Sequence, residues 1–67
     1  MTFDEYNDIM RRIHEQLNTV AKRTENQAWL GIANPDNPEF VSLMQLHKDL
    51  VARAIELTDR MSKQMDA

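Results

Sequence analysis

The chain has 67 residues, a formal net charge of −3 and no cysteine, which excludes disulfides and thiolate metal sites. A core of this size rarely stabilises a fold by more than a few kcal/mol, so oligomerisation is the remaining common aid. The acidic balance has the wrong sign for a generic nucleic-acid binder. The first ten residues lack a basic and then apolar run, and no apolar stretch approaches the roughly 20 residues of a membrane span. We therefore expect a soluble cytoplasmic protein.

A first helix is predicted over about residues 3–30. Thr2 and Glu5 match a capping box, in which Thr2 is the N-cap and Glu5 reaches back to the Thr2 amide. Apolar residues then recur in steps of three and four, which is the spacing of one helix face. This face consists of Phe3, Tyr6, Met10, Ile13, Leu17, Val20 and Thr24.

The turn is predicted at residues 31–37. Gly31 is the only glycine and is placed for the left-handed conformation that ends many helices, with Ile32 supplying the accompanying apolar contact. Residues 34–37 then precede Pro38, which fits the first turn of a helix. Either Asp36 or Asn37 can cap this second helix, predicted over about residues 38–64. The fold class is therefore all-α, a single antiparallel two-helix hairpin over residues 1–67.

The polar side of the second helix carries acid–base pairs four residues apart. These are Asp49 with Arg53, Glu56 with Arg60, and Asp59 with Lys63. Such pairs are typical of a solvated face and not of a phosphate-binding strip. A DNA-binding regulator stays an alternative, using the basic doublets Arg11–Arg12 and Lys22–Arg23 paired across a dimer.

The apolar side of the second helix is wider than one neighbour requires. At about 100° per residue it covers roughly 180°. It comprises Phe40, Leu43, Met44, Leu46, Leu50, Val51, Ala54, Ile55, Leu57, Met61 and Met65. We predict a homodimer that forms a four-helix bundle. Self-association or partner binding is assigned to Leu43, Leu46, Leu50 and Leu57 on one edge, Val51 and Ile55 on the other, and His47 within the arc.

Catalytic, cofactor and metal sites are not predicted. The serines lack a nearby His–Asp pair, one glycine cannot form a phosphate-binding loop, and the carboxylates are scattered. In the simplest hairpin register His14 and His47 lie about 13 Å apart along the axis, too far to share a metal within one chain. If His47 is buried between subunits, its protonation near pH 6 weakens assembly.

Trp29 lies at the exit of the first helix and has two interpretations. It either pins the loop against the second helix or acts as an aromatic anchor for a partner, since tryptophan is enriched among binding hot spots. The predicted function is a non-enzymatic adaptor, chaperone or inhibitor, including the phage-encoded type. Its predicted partners are a second copy and another protein.

Two short segments resemble known families. Residues 35–45, which run from Pro35 and Pro38 to Gln45, resemble the hairpin turn of type III secretion needle subunits. Trp29, Leu30 and Gly31 are similar to the W-x-G hairpin of small secreted virulence-type dimers. Either resemblance implies a structural subunit built from helical hairpins, which is the alternative function.

Overall fold

A computed structural model describes residues 1–66 and the side chains of residues 1–64. Two α-helices, α1 (Phe3–Trp29) and α2 (Pro38–Asp66), pack against each other without any strand in this range. This confirms the all-α helical hairpin. The hairpin is a rod of 49 × 17 × 12 Å. Neither helix, over the described residues, combines the length and apolar character needed to cross a bilayer.

The N-terminus of α1 is capped by Thr2, as predicted. The Glu5 amide donates to Thr2 Oγ1 at 3.1 Å, which satisfies one of the amides that lack a partner within the helix. The second half of the predicted capping box differs. The Glu5 carboxylate accepts from the Thr2 hydroxyl at 3.1 Å, and not from the Thr2 amide. The hydroxyl therefore both accepts and donates at this cap.

Gly31 ends α1 in the predicted left-handed conformation, with φ of 72°. The Gly31 amide donates to the Ala28 carbonyl at 3.1 Å, and the Ile32 amide donates to the Gln27 carbonyl at 2.9 Å. These two bonds form a Schellman motif, which satisfies carbonyls of the last helical turn. A side chain at position 31 would strain this conformation.

Of the two residues predicted as possible caps of α2, Asp36 and Asn37, the structure shows that Asn37 is the cap. Its Oδ1 accepts from the Glu39 amide at 3.1 Å, while its Nδ2 donates to the Ile32 carbonyl at 2.9 Å. Asn34 tightens the same turn, because its Oδ1 accepts from the Asp36 amide and its carbonyl accepts from the Asn37 amide. Side-chain amides thus tie the end of α1 to the start of α2.

The core is a single seam between the helices. Ile13 and Val20 of α1 meet Leu43, Leu50 and Leu57 of α2, all less than a tenth exposed. The steps of seven between these leucines return them to one side of the helix. Gln27 is also buried, and its Oε1 lacks a hydrogen-bond partner among the described residues. The core is therefore narrow and contains one costly polar group.

A hydrogen bond between the helices reports their register. Tyr6 Oη and Thr58 Oγ1 lie 3.0 Å apart, so residues whose numbers add up to about 64 lie at the same height. His47 consequently lies level with Leu17, and Leu50 lies level with His14. This register differs by about two helical turns from the one that the sequence suggested.

The outer ion pairs follow the predicted spacing at two positions. Arg60 meets Glu56 at 2.6 Å and Lys63 meets Asp59 at 3.0 Å. The predicted pairing of Asp49 with Arg53 does not form, because Asp49 accepts a hydrogen bond from Gln45 Nε2 at 2.9 Å. All these groups are exposed, so each pair contributes little to stability.

Replacement of Asn37 by alanine tests the construction of the turn. The Asn37→Ala variant loses both the cap of α2 and the bond to the Ile32 carbonyl. We expect the free energy of unfolding to fall by about 1–2 kcal/mol, measured by urea unfolding followed by circular dichroism. Asn18→Ala is the matched control, since Asn18 is an exposed residue within α1. An equal loss in both variants would contradict this account of the turn.

Candidate functional site

Large apolar side chains that are at least one third exposed lie outside the core at three places. On α2 they are Val41, Leu46, Val51 and Ile55, at the tip they are Trp29, Leu30 and Ile32, and at the N-terminal end they are Met1 and Phe3. Contiguous exposed apolar side chains are typical of protein interaction sites.

The structure divides the residues predicted for self-association into two groups. Leu43, Leu50 and Leu57 are covered by α1 and form the hairpin's own core. Leu46 and Ile55 remain 45% and 65% exposed. Only this second group, together with Val51, His47 and Trp29, offers surface to another chain in this conformation. Met65 of the predicted arc lies outside the described side chains.

We call the broad side of the hairpin that carries Met44, Val51 and Ile55 the lateral face. Steps of seven and four keep these three residues on one side of α2. A groove lined by Ala21 and Ala28 of α1 and by Met44 and His47 of α2 shows which side of α1 adjoins them. Further members of the lateral face, placed by the same helical spacing, are Met10, His14, Leu17, Thr58 and Ser62.

Three charged residues adjoin these members. Glu25 lines the groove beside Met44 and His47, and Lys48 lies seven residues before Ile55 on the same side of α2. Ile55 itself lines a second shallow groove with Ala54, Thr58, Asp59 and Ser62. The lateral face is therefore a mainly apolar and small polar surface that spans both helices and carries a few charged residues.

The opposite broad side is polar. There, Leu46 borders a groove lined by Gln16, Thr19, Val20 and Arg23 of α1 and by Leu43 of α2. The Asp8–Arg12 pair, at 3.1 Å, belongs to the same side of α1. Leu46 thus lies apart from Val51 and Ile55 and has more polar neighbours on α1.

The two histidines are closer along the axis than the sequence suggested. The register fixed by Tyr6 and Thr58 offsets His14 and His47 by three residues, or about 4.5 Å along the hairpin, in place of the expected 13 Å. They stand on different helices, and both are exposed. Within the described part of the chain, no three His, Asp or Glu side chains cluster in a way that suits a metal ion.

Trp29 does not pin the loop. Its side chain is 83% exposed. Trp29 follows the buried Val20 by nine residues, about two and a half helical turns, and therefore lies on the side of α1 that faces away from α2. Leu30 and Ile32 are 65% and 42% exposed beside it. We call these three residues the apolar tip. The Schellman motif and the Asn37 bonds hold its backbone in one conformation.

Basic side chains of α1 are partly neutralised by a neighbouring carboxylate. Asp8 lies 2.7 Å from Arg11 and 3.1 Å from Arg12. This doublet therefore presents less net charge to a phosphate backbone than the sequence alone indicates.

Comparison with known proteins identifies no relative, because no family model, curated protein or solved structure is significantly similar to this chain.

Sequence reasoning missed the contribution of α1 to the lateral face. Ala21 and Ala28 are exposed and line the groove beside Met44, yet alanine in a helix gives no distinctive pattern. The signal that the sequence offered was their position next to the apolar seam of α1.

Proposed function

We propose that this chain is a non-enzymatic protein-interaction module of the cytoplasm that acts as a homodimer. The lateral face binds a second copy, and the apolar tip binds a different protein. The observation that carries the proposal is Ile55, whose side chain is 65% exposed on the mainly apolar side of the hairpin.

The amount of exposed surface supports a dimer. The chain exposes 5228 Å², whereas a compact monomer of its mass exposes about 4400 Å². Its radius of gyration is 15.1 Å, against about 11 Å for a compact domain of this length. The broad side measures 49 by 17 Å, an outline large enough to hold the roughly 800 Å² of accessible surface that each partner buries in a standard interface.

The shapes of the two helices favour a second copy as the occupant of the lateral face. Both halves of the lateral face contribute apolar side chains, Met44, Val51 and Ile55 from α2 and Met10, Leu17 and Ala21 from α1. A two-fold axis parallel to the rod lays α2 of one copy over α1 of the other at the same height, which places Met44 against Ala21 and Val51 near Met10. Glu25, Lys48 and Asp59 then lie at the rim of the interface, where charged groups can keep contact with water. The product is a four-helix bundle.

The apolar tip remains free in such a dimer. Trp29 points away from α2, and Leu30 lies towards the polar side, so the lateral face can be covered without covering the tip. A rigid tryptophan loses little conformational entropy on binding and is a frequent hot-spot residue. Each dimer therefore presents two identical tips, which suits an adaptor, chaperone or inhibitor.

Substitution of Ile55 by aspartate tests the lateral face. Ile55→Asp places two charges within the dimer interface, and we expect the dimer dissociation constant to rise by about a hundredfold or more. Sedimentation velocity over a range of concentrations measures the change. Ala52→Asp is the matched control, because Ala52 is exposed on the outer side of the same helix.

Leu46→Asp distinguishes the two broad sides. It alters the polar side and should leave the dimer intact, with a dissociation constant near that of the wild type. The proposed interface is wrong if Leu46→Asp dissociates the dimer and Ile55→Asp does not. Growth of the wild type into open-ended filaments would instead support the needle-like structural subunit.

Substitution of Trp29 by alanine tests the tip. We expect Trp29→Ala to remain dimeric, because Trp29 lies outside the lateral face, but to lose binding to the partner protein by tenfold or more. The measurement compares the proteins that wild-type, Trp29→Ala and Ala52→Asp baits retain from lysate, with sedimentation of each bait. An identical set retained by all three baits would contradict a binding role for the tip.

A further inference from the structure

We infer that dimerisation through the lateral face is controlled by protons, because it places histidines of the two copies opposite each other. The inference rests on the proposed function and adds regulation to the same surface. It depends on where His14 and His47 stand on the hairpin.

Both histidines lie at mid-length. The packed part of the hairpin follows α1, Phe3–Trp29, whose middle is residue 16. His14 is two residues from this point. His47 is level with Leu17 in the register of the Tyr6–Thr58 bond, so it is one residue away. Each imidazole is therefore attached within about 3 Å of the middle of the rod.

Mid-length positions meet each other in any two-fold dimer that buries the whole lateral face. A two-fold axis parallel to the rod keeps every residue at its own height, whereas one perpendicular to the rod reverses the heights about the middle. A residue at mid-length therefore stays at mid-length in both cases. Where α2 of one copy covers α1 of the other, His47 faces the partner subunit's His14. Where each helix covers its own counterpart, His14 faces His14 and His47 faces His47. A histidine faces a histidine in both cases.

Neither histidine forms an ion pair among the described residues. Across the hairpin from His14 lie Leu50 and Val51, and its charged neighbours on α1 are Arg11 and Glu15, which lie outside the lateral face. Arg11 is already paired with Asp8.

His47 has similar surroundings. It borders a groove with Val20, Ala21 and Thr24, and its neighbour on α2 is Lys48. Glu25 lines the same groove, with its backbone eight residues, or about 12 Å, further along the rod than that of His47.

These surroundings determine the sign of the effect. Neutral imidazoles can be buried against each other at modest cost, whereas four imidazolium ions would be buried with like charges close together. The dimer therefore binds fewer protons than two separate chains, and its stability falls as the pH decreases through the range in which histidine gains charge. Neutral solutions favour the dimer and mildly acidic solutions favour single hairpins.

Sedimentation velocity of the wild type at about pH 8 and about pH 5.5 tests this inference, alongside the double variant His14→Gln/His47→Gln. We expect the wild-type dissociation constant to rise by about tenfold or more at the lower pH. The double variant should change by less than about twofold, because the chain has only these two histidines. Glutamine keeps a polar side chain of good helix propensity, and circular dichroism at both pH values monitors the helices.

The outcomes separate the inference from the proposed function. A wild-type dimer that is equally tight at both pH values overturns the proton control and leaves the proposed dimer standing. A wild type that is monomeric at the higher pH overturns both. Equal weakening of the wild type and the double variant assigns the pH effect to carboxylates and overturns the role of the histidines.

Discussion

Two packed helices can cover only the side that each turns towards the other, and this constraint shapes the whole molecule. The core is one seam, in which Ile13 and Val20 interlock with Leu43, Leu50 and Leu57. Every apolar side chain more than about a quarter turn from that seam stays in contact with water. Met44, Val51 and Ile55 lie at such positions. Because the core is small, burial of these side chains by another chain would add substantially to the stability of the fold.

The turn determines how this surface is presented. Gly31 and Asn37 form hydrogen bonds on either side of residues 32–36, so the direction in which α2 leaves α1 is set by backbone and side-chain amides. The Tyr6–Thr58 bond near the opposite end sets the relative height of the helices. The polar and apolar broad sides, the apolar tip and the level of the two histidines all follow from these few bonds.

Much of the fold could be predicted from the sequence because local signals agree with one another. Thr2, Gly31 and Pro38 mark helix ends through capping and backbone chemistry that depends on neighbouring residues alone. The register could not be predicted in the same way, since a heptad-like seam allows slips of seven residues that bury similar side chains. The hydrogen bond of Asp49 and the burial of Gln27 could not be predicted either, because each depends on which neighbour a flexible polar side chain meets.

The division of the wide apolar arc is the part of the site that required coordinates. The sequence identified an excess of apolar surface on α2, and the exposure of Val51 and Ile55 shows where that excess lies. Helical periodicity alone did not show that Leu43, Leu50 and Leu57 belong to the intrachain core, nor that Ala21 and Ala28 extend the exposed face across α1. Both facts depend on the rotation of each helix about its own axis.

The dependence of thermal stability on protein concentration tests most directly whether a second copy completes this fold. If the lateral face is buried in a dimer, folding and association are coupled, and the midpoint of thermal unfolding at neutral pH must rise as concentration increases over about a hundredfold range. A cooperative transition whose midpoint stays constant over that range, in a species that sediments as a single chain, would contradict the account.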